Sequence, residues 1–120
     1  MDVKEKLLAK YKLALTIQKI ISNNLSKNKE GSVTSLRKLA ASSETEYSII
    51  QKISSNKKDP QFSTLAAIID GFGISFSEFA RIYDSISDEE IDEYKQSLKR
   101  KLKKPQSSSA KTIKQAKKAN

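Results

Sequence analysis

The chain predicts an all-α bundle of about five helices, followed by a C-terminal helix and a basic tail, and three observations carry that expectation. Apolar residues recur at three- and four-residue spacing in successive short segments: Leu36, Leu39 and Ala40, then Ile49, Ile50 and Ile53, then Leu65, Ile68, Ile69 and Phe72. Turn signals separate those segments, namely Ser42 and Ser43, the loop SNKKDP, and Gly71 to Gly73. Near the N-terminus, Leu7, Leu8, Tyr11, Leu15, Ile17, Ile20, Ile21 and Leu25 fit one long amphipathic helix. The pattern divides the chain into residues 1–86 as a main domain, 87–104 as an amphipathic helix and 105–120 as a basic tail expected to be disordered when free.

Each element follows from its residues. The first helix is expected over about residues 3–25, packed across the two helices that follow. Residues 26–32, with Asn28 and Gly31, form a polar connector. Ser35 suits the N-cap of the second helix, and Thr45 or Ser43 that of the third, which runs from residue 44 or 45 to about 54. The fourth ends at Gly71 to Gly73, and a short helix over about residues 76–83 starts at Ser75 or Ser77. Pro60, Phe62, Leu65, Ile68, Ile69, Phe72, Ile74, Phe76 and Phe79 are expected in the core, because a domain of this size needs those rings for packing. Ser87 followed by Glu90 is a capping-box signature. It opens a last helix over about residues 88–103, acidic at its start and basic at its end, as the macrodipole favours. Its stripe of Ile91, Tyr94, Leu98 and Leu102 fits either packing on the domain or pairing with a second copy, and Pro105 ends it.

Composition narrows the chemistry. The absence of Cys rules out a disulfide framework and thiolate chemistry, and the absence of His removes the commonest metal ligand and general base. The carboxylates Asp88, Glu89, Glu90, Asp92 and Glu93 read as a helix start rather than a catalytic or metal cluster, so neither enzymatic activity nor a cofactor is expected. No secretory or membrane-spanning segment is apparent and no small-molecule ligand is evident, so the expected location is the cytoplasm. The formal charge of +9 looks at first like a nucleic-acid signal. Residues 1–94, however, carry 13 basic against 14 acidic side chains, a net of −1, whereas residues 95–120 carry 10 basic and no acidic ones. Between residues 32 and 79 the two signs balance at five each. Any DNA-binding role of the domain must rest on where its charges lie, and the tail should add affinity without selectivity.

The segment from Leu36 to Phe79 resembles the lambda-repressor/Cro-like (Xre-type) helix-turn-helix proteins. Members typically show a Leu-Ala pair, an Ile ten residues later and another apolar residue three further on. A polar loop closing on Pro follows, then a Leu-containing helix that ends in a Leu-Gly-Val-Ser-like turn. Those places hold Leu39-Ala40, Ile50, Ile53, Asp59-Pro60, Leu65 and Phe72-Gly73-Ile74-Ser75, in register over roughly 45 of the 120 residues. Two positions depart from the pattern. Glu44 stands where the family usually has Gly in the turn, often at positive φ, and Ser54 stands where Glu often closes the recognition helix.

The resemblance implies a lambda-repressor-like bundle whose third helix enters the major groove of double-stranded DNA, in a repressor-like regulator acting as a homodimer. With Ile49, Ile50 and Ile53 inward, the expected base contacts are Glu46, Tyr47, Ser48, Gln51 and Lys52. Thr34, Ser35, Arg37, Lys38, Lys57 and Lys58 are the expected phosphate contacts. Two other readings use the same residues. One is an antitoxin or adaptor that keeps the fold for protein interaction; the other is nonspecific nucleic-acid binding led by the tail.

Overall fold

The computed structural model describes residues 2–103, with side chains to residue 101. All regular structure among the described residues is helical: α1 (Val3–Lys27), α2 (Leu36–Ser43), α3 (Tyr47–Ser54), α4 (Phe62–Phe72), α5 (Phe76–Asp84) and α6 (Asp88–Lys103). The chain divides into two compact units between Ile86 and Ser87.

In the first unit α1 runs two residues past its expected end. A capping box that the sequence reading missed starts it: the Glu5 amide donates to Asp2 Oδ1 at 2.8 Å and the Asp2 amide to Glu5 Oε1 at 3.0 Å. Asn28, left-handed at φ 50°, closes it. Only the middle of α1 is committed to the core, through Ala14, Thr16, Ile17 and Ile20. Leu7, Leu8 and Leu25 are exposed, contrary to the stripe drawn from periodicity. The reason is length: 25 residues at about 1.5 Å each outrun the helices they pack on.

α1 packs on α3 and α5, and α2 packs on α3 and α4. Ile17, Val33, Leu39, Ile50, Ile53 and Ile68 form the principal core, so every one of the first four helices and the connector before α2 supplies a member. Ile20, Ile69 and Phe79 form a second cluster that brings in α5. Burial of each such side chain contributes about 1.5–3 kcal/mol. Two buried hydroxyls are satisfied within their own helices: the Thr16 hydroxyl donates to the Lys12 carbonyl at 2.6 Å and the Ser43 hydroxyl to the Leu39 carbonyl at 2.6 Å. Two side chains of α1 fasten other elements. Gln18 Nε2 donates to the Ser54 carbonyl at 2.7 Å, and Asn24 Nδ2 to the Val33 carbonyl at 2.8 Å.

Two of the phenylalanines expected in the core lie elsewhere. Phe62 is 73% exposed and Phe76 49%, and their rings stack on each other at 5.8 Å and 23°. Each is the first residue of its helix, one turn ahead of the face that packs, so helical spacing alone misassigned them. α4 ends within the expected span, Gly71 to Gly73, and Gly71 lies in its last turn, where an added Cβ would come within 2.9 Å of the Ser43 Cβ and backbone nitrogen. Its missing side chain lets α4 approach the end of α2, and Gly73, at φ 76°, is the residue that closes α4.

In the second unit the Ser87–Glu90 box forms as expected, with the Glu90 amide donating to Ser87 Oγ at 3.1 Å and the Ser87 amide to Glu90 Oε1 at 3.0 Å. Ile91 is buried, and Tyr94 and Leu98 are half-buried. The Leu102 side chain and the tail expected over residues 105–120 lie outside the described residues.

Candidate nucleic-acid interface

A three-residue connection, residues 44–46, joins α2 to α3. α2 closes on Glu44, which adopts φ 54° and ψ 39°, the left-handed conformation that favours glycine. The Glu44 and Thr45 amides donate to the Ala41 and Ala40 carbonyls at 3.3 and 3.1 Å, so the turn satisfies the end of α2. Neither Thr45 nor Ser43 caps α3. Their hydroxyls are spent on the carbonyls of Ser43 and Leu39, and Glu46 takes the N-cap position without a side-chain hydrogen bond. α3 therefore begins at Tyr47, two or three residues later than expected.

Local sequence decides which way α3 faces. Ile50 and Ile53 are fully buried, Ser54 is buried with its hydroxyl donating to the Gln51 carbonyl at 3.1 Å, and Ile49 is half-buried. Ser48, Gln51 and Lys52, spaced three and four residues apart, share the opposite, exposed face. Glu46 is exposed just ahead of the helix. Tyr47 differs from the other expected base contacts: it is half-buried, and the Arg37 guanidinium lies over its ring at 4.1 Å from the centroid.

The expected phosphate contacts divide in the same way. Ser35 Oγ accepts from the Lys38 amide at 3.1 Å and so serves as the N-cap of α2. The Leu36 and Arg37 amides, in the first turn, have no carbonyl of their own helix to reach. Thr34 is half-buried, and its hydroxyl accepts from Lys38 Nζ at 3.0 Å, which holds that ammonium against the start of α2. Lys57 and Lys58 are exposed beyond the end of α3, where the Lys57 amide donates to the Lys52 carbonyl at 2.7 Å. Asn56, left-handed at φ 66°, shapes this bend, and its Oδ1 is buried without a hydrogen-bond partner. Residues 34–58 carry five basic side chains against the two carboxylates of Glu44 and Glu46. A chain segment neutral over 32–79 thus has its cations concentrated around α2 and α3.

Sequence reasoning missed the Arg37–Tyr47 stack and the Gly71 contact. Both join residues from different helices, and hydropathy spacing within one helix holds no trace of them. Elsewhere, Tyr83 lines an open groove of about 560 Å³ with Lys6, Leu13, Asp59, Leu65 and Phe79. Burial raises the Tyr83 pKa above the ordinary tyrosine value, with a smaller push from the Asp84 carboxylate. Among the described residues no group of three or more Asp or Glu side chains is placed to hold a metal ion, and no helix is long and apolar enough to cross a membrane.

No protein-family model, no curated protein sequence and no solved structure matches this chain.

Proposed function

We propose that this chain binds double-stranded DNA sequence-specifically, as a repressor-like regulator of the lambda-repressor/Cro-like helix-turn-helix kind, with α3 in the major groove. The observation that carries the reading is the pairing of two features. A short helix is held from behind by Ile50 and Ile53 and leaves Ser48, Gln51 and Lys52 on its exposed outer face; four further basic side chains, Arg37, Lys38, Lys57 and Lys58, flank it. A helix with its side chains is about 10–12 Å across, which the roughly 12 Å width of the major groove accepts.

The roles follow from side-chain chemistry. The Gln51 carboxamide offers a donor and an acceptor side by side, matching adenine N7 and N6. Lys52 donates to guanine or to a phosphate, and Ser48 serves either a base or the backbone. One phosphate sits at the start of α2, on the Leu36 and Arg37 amides with Lys38 beside it. Lys57 and Lys58 grip the neighbouring strand. One such domain covers a single half-site, so the active form is a homodimer on two half-sites about one helical turn apart.

The exposed Phe62–Phe76 stack favours a second reading, an antitoxin or adaptor that uses the same bundle to hold a protein partner. Selection of bound duplexes from a randomised pool separates the two. A regulator enriches one near-palindromic sequence and prefers it over random competitor by orders of magnitude. An adaptor enriches none.

A further inference from the structure

We infer that Arg37 and Tyr47 act as one unit that reads a guanine, so that Arg37 is a base contact rather than one of the phosphate contacts. This rests on the reading of α3 as a groove helix. The two residues belong to different helices, Arg37 to the first turn of α2 and Tyr47 to the start of α3, and the guanidinium lies 4.1 Å from the Tyr47 ring centroid. Stacking of this kind uses the face of the guanidinium and leaves its planar edge of N–H donors available. No carboxylate lies within ion-pair distance of Arg37 among the described ion pairs, so that edge is not neutralised by the protein.

The ring does three things for the arginine. It limits the freedom of a long side chain that would otherwise lose rotamer entropy on binding. It places the guanidinium beside the start of α3, the end from which groove helices reach base edges. Tyr47 is itself half-buried, which limits the freedom of the ring before DNA arrives. A planar pair of donors held this way matches guanine O6 and N7, the bidentate contact arginine makes most often to a base. A lysine at position 37 would keep the charge and lose the fork.

The test measures affinity for the duplex selected by the wild-type protein and for its single-base variants, by fluorescence anisotropy. Arg37→Lys should lose about ten- to a hundredfold on the selected duplex and lose its preference at one G·C pair, while the slope of affinity against salt stays unchanged. Tyr47→Leu should relax the same base pair, and Tyr47→Phe, which keeps the ring, should retain it. Arg37→Lys with Tyr47→Leu should be no worse than the weaker single variant, because both remove one unit. Thermal melting of each variant checks that the fold is intact. Wild-type selectivity with every base preference preserved in Arg37→Lys would overturn the unit alone. Failure of the wild-type protein to select any duplex would overturn both the unit and the DNA-binding reading.

Discussion

Replacing Gly71 with alanine sets two physical effects against each other, and the structure fixes which wins. In an exposed helix interior the change stabilises by about 1 kcal/mol, since alanine is the better helix former. Gly71 is not in such a place: its Cβ would lie 2.9 Å from both the Cβ and the backbone nitrogen of Ser43, and 3.0 Å from Ser42 Oγ. Ser43 cannot swing aside. It is buried, and its hydroxyl is bound to the Leu39 carbonyl at 2.6 Å. Relief requires α4 to move away from α2 and loosen the core around Leu39 and Ile68. Overpacking of this kind costs about 1–3 kcal/mol, so the balance is a net loss of up to about 2 kcal/mol. For a unit of this size the melting temperature should fall, by up to about 8–16 °C, measured by circular dichroism. A rise in melting temperature, the outcome helix propensity alone demands, would refute the close α2–α4 contact.

Glu44→Gly should raise stability by about 1 kcal/mol in urea unfolding, because it relieves a left-handed residue and removes an acid from a helix C-terminus; a loss of stability would mean that the turn is not strained. Ile50→Ala should cost about 2–5 kcal/mol whereas Phe62→Ala, at a site 73% exposed, should cost under about 1 kcal/mol, and equal costs would contradict the assigned core. Tyr83 should titrate above the ordinary tyrosine value in an ultraviolet absorbance titration. Because its folded pKa is raised, the stability it contributes is present below the unfolded tyrosine value near 10 and is lost as pH rises through the folded value. Tyr83→Phe should flatten that alkaline loss, and an unchanged alkaline profile would remove the assigned cause.

Much of the helical order was legible because caps and periodicity are local. Ser35, Ser75 and the Ser87–Glu90 box sit where their spacing put them, each accepting from an amide three residues on. Ile50 and Ile53 face inward as a three-residue interval requires. The start of α3 was illegible because Thr45 and Ser43 look like caps, but their hydroxyls serve the end of α2 instead. Phe62 and Phe76 satisfied helical spacing and still lie outside, since spacing cannot tell the first turn of a helix from the turns that meet a neighbour. Of the candidate interface, Ser48, Gln51 and Lys52 could be placed on one face from α3 alone. The arrangement of Arg37 on Tyr47 depends on how α2 and α3 pack, which no single segment encodes.

The central claim, that the outer face of α3 reads base sequence, is tested most directly by Gln51→Ala measured on two duplexes, the selected one and a scrambled one of equal composition. Gln51 is uncharged and exposed, so truncating it removes no charge and leaves the fold undisturbed. The account predicts a loss of roughly 1–3 kcal/mol on the selected duplex and almost none on the scrambled one, with an unchanged melting temperature. Equal losses on the two duplexes, or none on either, would contradict it.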